Sequence, residues 1–122
     1  MASTVLVADD DLEILKLIVR ILRAKGVNVL EATDGEEALV LAQKHHPDLM
    51  ILDVMMPGRT GWEVCRAVRE DDALKDVRVL MLTGIGERLN EMTSPLYGAD
   101  EYLDKPFDFG VLDTVIDKLL AP

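Results

Sequence analysis

Aromatic side chains are scarce in this chain, making up 4% of its 122 residues. A core without bulky rings has to be filled by aliphatic side chains. The 49% hydrophobic content supplies them in the proportions of a compact α/β protein, which excludes a disordered chain. Cysteine is nearly missing as well: Cys65 alone permits no internal disulfide. No apolar run approaches the ~18 residues of a membrane span, and the longest helical pattern is broken by Glu13, Lys16, Arg20 and Arg23. Met1-Ala2-Ser3-Thr4 has neither the basic nor the apolar region of a signal peptide, so a soluble, cytoplasmic protein is expected. Positive charge is the last shortage. Thirteen Lys and Arg stand against 23 Asp and Glu, for a net charge of -10. That field repels nucleic-acid backbones and anionic membranes, so direct contact with either is not expected. An acidic surface is also a common solubility device, so it excludes partners without naming one.

What is present is a rhythm. Short apolar runs at residues 4–8, 27–31, 48–52, 78–82 and about 101–103 alternate with amphipathic stretches, as in strand-helix units built around a parallel sheet. The middle runs are apolar throughout, as a sheet covered on both faces requires. Leu12, Leu15, Val19 and Leu22 recur at helical spacing within 11–25, and Gly26 supplies a left-handed stop. A second helix is predicted from about Gly35 to His45, with Asp34 as cap, Ala38, Leu41 and Ala42 inward, and Pro47 at its end. A third runs from Trp62 to about Glu70 with Val64, Ala67 and Val68 inward. The last covers 109–120 with Val111, Leu112, Val115, Ile116 and Leu119 inward. Between them, 87–97 has room for another helix, but Pro95 lacks an amide hydrogen and clashes with a preceding turn, so a short or irregular one is expected there. There is no internal repeat or linker. Residues 1–122 are read as one domain with no second, in keeping with the usual ~100–150 residues.

In a parallel sheet the residues just past the strands gather along the carboxyl edge. Here that rule brings together Asp9 and Asp10, Asp53, Thr83 and Lys105. A lone Asp at a strand end is more often a helix cap or a solvated group. Three carboxylates at one edge repel each other, however, and partial burial raises the cost unless cations compensate. An oxygen-only donor set calls for a hard divalent ion, magnesium in a cytoplasmic setting.

The runs VLVADDD, ILDVMMPGRTGWE, VLMLTG and GADEYLDKPF together resemble response-regulator receiver domains of two-component signalling (CheY-like) over essentially the whole chain. The resemblance implies a single doubly wound, flavodoxin-like α/β fold: a five-stranded parallel sheet of order 2-1-3-4-5 flanked by five helices. That strand order is what the family resemblance implies. Matched residue by residue, the resemblance makes Asp53 the acceptor of a phosphoryl group from a histidine kinase or small phosphodonor. It makes Asp10, Asp53 and the Met55 backbone carbonyl direct Mg2+ ligands, with Asp9 acting mainly through a coordinated water. Lys105 supplies positive charge, Thr83 hydrogen-bonds a phosphoryl oxygen, and Tyr102 is the aromatic switch. Pro106 matches a position that is usually cis, and Pro57, Gly58 and Gly61 shape the loop after the acceptor. Apolar Met55 and Ile85 near the site imply slow hydrolysis of the acyl phosphate. A receiver is a phosphoacceptor signalling domain rather than an enzyme. Its implied partners are a sensor histidine kinase or phosphotransfer protein and a downstream output domain or target protein. The face of the fourth helix, fifth strand and last helix is the usual surface for phosphorylation-dependent homodimers. In this chain Thr93-Ser94-Pro95 interrupts that helix and implies different partner geometry.

Three other readings fare worse. A haloacid-dehalogenase-like phosphatase places a second Asp two residues after its nucleophile, where this chain has Met55. A flavodoxin-like cofactor carrier needs a phosphate cradle after its first strand, where Asp9-Asp10-Asp11 would repel the ligand. A degenerate receiver would lack the acceptor, the acidic pair or the lysine, and all are present. His45 and His46 fall at the opposite edge and are read as solvated. Cys65 is read as a packed side chain rather than a redox sensor.

Overall fold

The computed structural model describes residues 3–84 and 98–121. The elements run β1 (Thr4–Ala8), α1 (Leu12–Ala24), β2 (Asn28–Ala32), α2 (Gly35–His45), β3 (Leu49–Asp53), α3 (Gly61–Glu70), β4 (Arg78–Thr83), β5 (Glu101–Asp104) and α4 (Phe109–Leu120). All four strand pairings are parallel and the order is β2-β1-β3-β4-β5, as the family resemblance implies. The described residues contain four helices. The helix expected over 87–97, with Pro95, and the neighbouring Ile85 lie outside them.

Alternation along the strands divides the core in two. Leu6, Ala8, Met50, Leu52, Val79 and Met81 pack under α2 and α3, which contribute Ala38, Leu39, Ala42, Val64, Cys65 and Val68. Val5, Val7, Leu49, Ile51, Leu80 and Leu82 pack under α1 and α4 through Leu15, Ile18, Val19, Leu22, Leu112, Ile116 and Leu119. Every strand residue from Leu49 to Asp53 is buried, the pattern of a central strand covered on both faces.

Local chemistry starts the helices where the sequence predicts. Asp11, Asp34, Thr60 and Asp108 cap α1, α2, α3 and α4, each accepting from a backbone N–H in the first turn. Thr60 and Glu63 complete a reciprocal capping box. Some details differ. Helix α2 ends on His46 in the left-handed region (φ 49°) rather than on Pro47 itself. Its buried stripe uses Leu39, leaving Leu41 only partly buried. Leu12 and Val111, expected inward, are 56% and 48% exposed. Both lie in a first helical turn at the carboxyl edge of the sheet, where the strands no longer extend far enough to cover them.

Two polar clamps position β5. Arg69 of α3 donates to the carbonyls of Gly98 and Lys75 and pairs with Asp100 at 2.9 Å. Asp100 in turn accepts from the Val79 amide at 2.8 Å. At the other side Lys118 of α4 pairs with Glu101. The chain therefore enters β5 in fixed register beside β4, which determines where Tyr102, Asp104 and Lys105 fall.

The loop after β3 is closed by contact with the strand it leaves. The Gly61 amide donates to the Val54 carbonyl at 2.9 Å, and a Cβ on Gly61 would stand 2.4 Å from the Asp53 carbonyl oxygen and 2.9 Å from the Met81 sulfur. At Gly26 (φ +79°) an added Cβ meets nothing within 4 Å. Gly61→Ala is therefore expected to cost about 2–4 kcal/mol and Gly26→Ala about 1 kcal/mol. Urea denaturation of the two variants checks the order; equal losses would refute the close approach at Gly61.

Candidate functional site

Asp9 follows β1, Asp53 ends β3, Thr83 ends β4 and Lys105 follows β5, so the topology alone brings four distant segments to one edge. The backbone ladder continues past the strands at these positions. Asp9 N donates to Ala32 O, Val54 N to Leu82 O and Lys105 N to Thr83 O. The functional side chains thus spring from paired, rigid backbone rather than from free loops.

Asp9, Asp10 and Asp53 each present a carboxylate oxygen, and these atoms all lie within 4.8 Å of one another. Asp9 is fully buried and Asp53 is 5% exposed, whereas Asp10 faces solvent. Lys105 joins the cluster, its Nζ 3.0 Å from Asp9 Oδ2 and 3.1 Å from Asp53 Oδ1. The other Asp9 oxygen accepts from the Asp11 amide at 2.9 Å. The three consecutive aspartates therefore divide the work: Asp9 is buried and bonded, Asp10 is open, and Asp11 caps α1.

Burial pushes the Asp53 carboxyl up to about 7, the Asp9 charge adds to the rise, and Lys105 opposes it. Burial pulls Lys105 down, but its hydrogen bond to Asp9 and the Asp53 charge outweigh this and leave its pKa raised. One ammonium is not enough to hold Asp53 ionised comfortably, so the pocket has room in charge for a further cation. The donor set is all oxygen, three carboxylates with an open side at Asp10, which fits a hard divalent ion that keeps several of its own waters.

The remaining expectations fall as follows. Met55 lies two residues past Asp53 with its side chain 60% exposed. The Lys105–Pro106 bond is cis. Tyr102 lies inward, its hydroxyl oxygen buried and its ring 5.9 Å from that of Trp62 at a tilted 41°. Thr83 is buried, and its hydroxyl donates to Asp104 Oδ1 at 2.7 Å. Asp104 had not stood out in the sequence, although the terminal residues of adjacent parallel strands in register are natural partners, and Thr83 and Asp104 are such a pair. Burial pushes the Cys65 thiol up to about 11, which keeps it an inert packed group. His46 and Pro47 lie with Asp48 at the opposite edge, beside the start of β3 and away from the carboxylates.

An acidic pocket at the carboxyl edge of a 2-1-3-4-5 sheet, with a lysine reaching in just after β5, defines a class of flavodoxin-like α/β domains. The family described as the response regulator receiver domain matches residues 5–117, and the chain belongs to it. Among curated proteins it is 40% identical over 116 residues to the probable transcriptional regulator ycf27 of Cyanophora paradoxa, covering 95% of this chain and 47% of that one. The chain thus spans about half the length of the curated relatives it matches. Among solved structures it superposes on a putative response regulator from Chloroflexus aurantiacus with a TM-score of 0.92, 35% identity and full coverage of both chains. The chemotaxis response regulator CheY4 of Vibrio cholerae gives 0.91 and 35% over 98% of this chain and all of that one. Membership of the receiver-domain family places this chain in two-component signal transduction. Among the described residues no helix is long and apolar enough to cross a membrane.

The raised Asp53 pKa has a stability consequence. An unfolded carboxyl titrates near its ordinary 3.8 and the folded one near about 7. The folded state then binds more protons across that window, so this contribution is full below 3.8 and is lost as pH rises through about 7. In chelator at pH 8, Asp53→Asn is expected to be more stable than wild type by about 2 kcal/mol, a rise of several degrees in melting temperature. The gain should disappear towards pH 4. A variant no more stable than wild type at pH 8 would contradict the repulsion.

Proposed function

We propose that this chain is a phosphorylation-activated receiver whose acceptor is Asp53, with a magnesium ion held by Asp10, Asp53 and the Met55 backbone carbonyl, and by Asp9 mainly through water. The observation that carries this reading is the convergence of the three carboxylates with the Lys105 ammonium 3.1 Å from Asp53. The bound ion would neutralise part of the pocket's negative charge and that of the incoming phosphoryl oxygens. An ionised Asp53 oxygen attacks phosphorus in line. The new bond joins carboxylate oxygen to phosphorus, and the bond from phosphorus to the donor, a histidine nitrogen or the acyl oxygen of a small phosphodonor, breaks with the electron pair leaving on the donor. Lys105 stays near the equatorial oxygens, where charge accumulates. Nothing in this step requires a general acid beyond the donor's own proton exchange with solvent, consistent with a pocket that has no titrating histidine among the described residues.

The switch follows from the same edge. Thr83 would transfer its hydroxyl bond to a phosphoryl oxygen, drawing the end of β4 inward, and Tyr102, already packed against Trp62, would be held in its inward position by that shift. The protein signals rather than turning over a substrate, though it assists its own phosphorylation and dephosphorylation. Its donor is a sensor histidine kinase or phosphotransfer protein, and its product state is read by an output domain or target protein, or by a second copy of itself. The net charge of -10 argues that any nucleic-acid contact would be made elsewhere than by this domain. A cytoplasmic site of action suits both the donor and the ion. Residues 1–122 serve as one receiver unit in this reading.

With acetyl phosphate, intact-mass spectrometry is expected to find one added phosphoryl group in wild type when Mg2+ is present and none when chelator replaces it. Asp53→Asn should take up none, and Lys105→Met should lose at least ~100-fold in rate, the scale of losing one charge-stabilising group. Labelling that persists in chelator or in Asp53→Asn would overturn the assignment.

A further inference from the structure

Asp104 ends β5 and Lys105 follows it, and the two side chains hold different parts of the site. Lys105 reaches Asp9 and Asp53. Asp104 lies in register with Thr83 and accepts its hydroxyl proton at 2.7 Å, while the backbones of the two strands stay locked by the bond from Lys105 N to Thr83 O. A threonine hydroxyl can donate one hydrogen bond. While that bond is directed at Asp104, it cannot be donated to an oxygen attached to Asp53. The bond is short and its acceptor charged, which puts it among the stronger side-chain hydrogen bonds.

We propose that Asp104 is a positioning residue that holds Thr83 in the resting state, so that phosphorylation must take the Thr83 hydroxyl away from a competing carboxylate before the switch completes. The proposal rests on the reading of Asp53 as acceptor and Thr83 as the group that senses its phosphate. Its consequence is a set threshold. The resting state is favoured by the strength of the Thr83–Asp104 bond, and a phosphoryl group has to offer a better acceptor to displace it. Tyr102 lies two residues before Asp104 on the same strand and so on the same face, against Trp62. Release of Thr83 from Asp104 is thereby placed next to the aromatic pair that would register it.

The test measures affinity for the phosphate mimic beryllofluoride in Mg2+, following the fluorescence of Trp62, the single tryptophan of the chain. Wild type, Asp104→Ala, Asp104→Asn, Thr83→Ala and the double variant Asp104→Ala with Thr83→Ala are compared. Asp104 is exposed at the end of β5, so its variants should fold, and far-UV circular dichroism confirms it. Asp104→Ala is expected to bind roughly 3–10-fold more tightly than wild type, the worth of one lost charge-assisted hydrogen bond. Asp104→Asn, whose amide oxygen still accepts, should fall between the two. In the Thr83→Ala background, removing the Asp104 side chain should change nothing. Equal gains in Asp104→Ala and Asp104→Asn that persist without the Thr83 hydroxyl would mean that Asp104 acts only through its charge, and would overturn the proposal. Unchanged affinity in Asp104→Ala would do the same. If wild type itself fails to bind beryllofluoride, the acceptor reading falls and this inference with it.

Discussion

The structure is organised around the crowding of three carboxylates into one partly buried edge, with ligand oxygens all within 4.8 Å of each other. Such a group is electrostatically unfavourable on its own, and the rise of the Asp53 carboxyl to about 7 expresses that. The surroundings divide the burden unequally. Asp9 is bonded on both oxygens, to Lys105 and to the Asp11 amide, while Asp10 keeps its carboxylate in solvent. Asp53 is left as the buried carboxylate whose charge is least compensated.

An arrangement that repels itself needs a scaffold that will not give way. The sheet supplies it through two aliphatic cores on either side of a fully buried β3, and through backbone pairing that continues beyond the strand ends at Asp9, Val54 and Lys105. Gly61 allows the loop after Asp53 to return within contact of the Asp53 carbonyl, where any side chain would collide. The Arg69–Asp100 clamp then fixes β5 against β4, so that the lysine and its neighbouring aspartate arrive in register.

The end of β5 brings different side chains to different neighbours because successive residues alternate in direction. Lys105 turns to the carboxylates, whereas Asp104 and Tyr102 share the face of Thr83 and Trp62. Thr83, bonded to Asp104, thus ends β4 beside β3, whose last residue is Asp53, and on the strand that pairs with Tyr102.

Much of this was legible in the amino-acid order. Strand and helix positions follow from hydrophobic period, and the cap at Asp34 follows from an Asp placed just before it; both are local properties, and they came out within a residue or so of the observed bounds. The runs ending in Asp9-Asp10, Asp53, Thr83 and Lys105 also announced themselves, because a parallel sheet has only one edge at which its strands end. Leu12 and Val111 misled because period records which side of a helix is apolar but not where the covering sheet stops. The sequence by itself determined the elements, their alternation and the chemical identity of the carboxyl edge. Tertiary structure alone decided that Thr83 meets Asp104, that Lys105 bridges Asp9 and Asp53, and that Tyr102 lies on Trp62. Such contacts depend on strand register and on distances between side chains far apart in the chain, which no local pattern encodes.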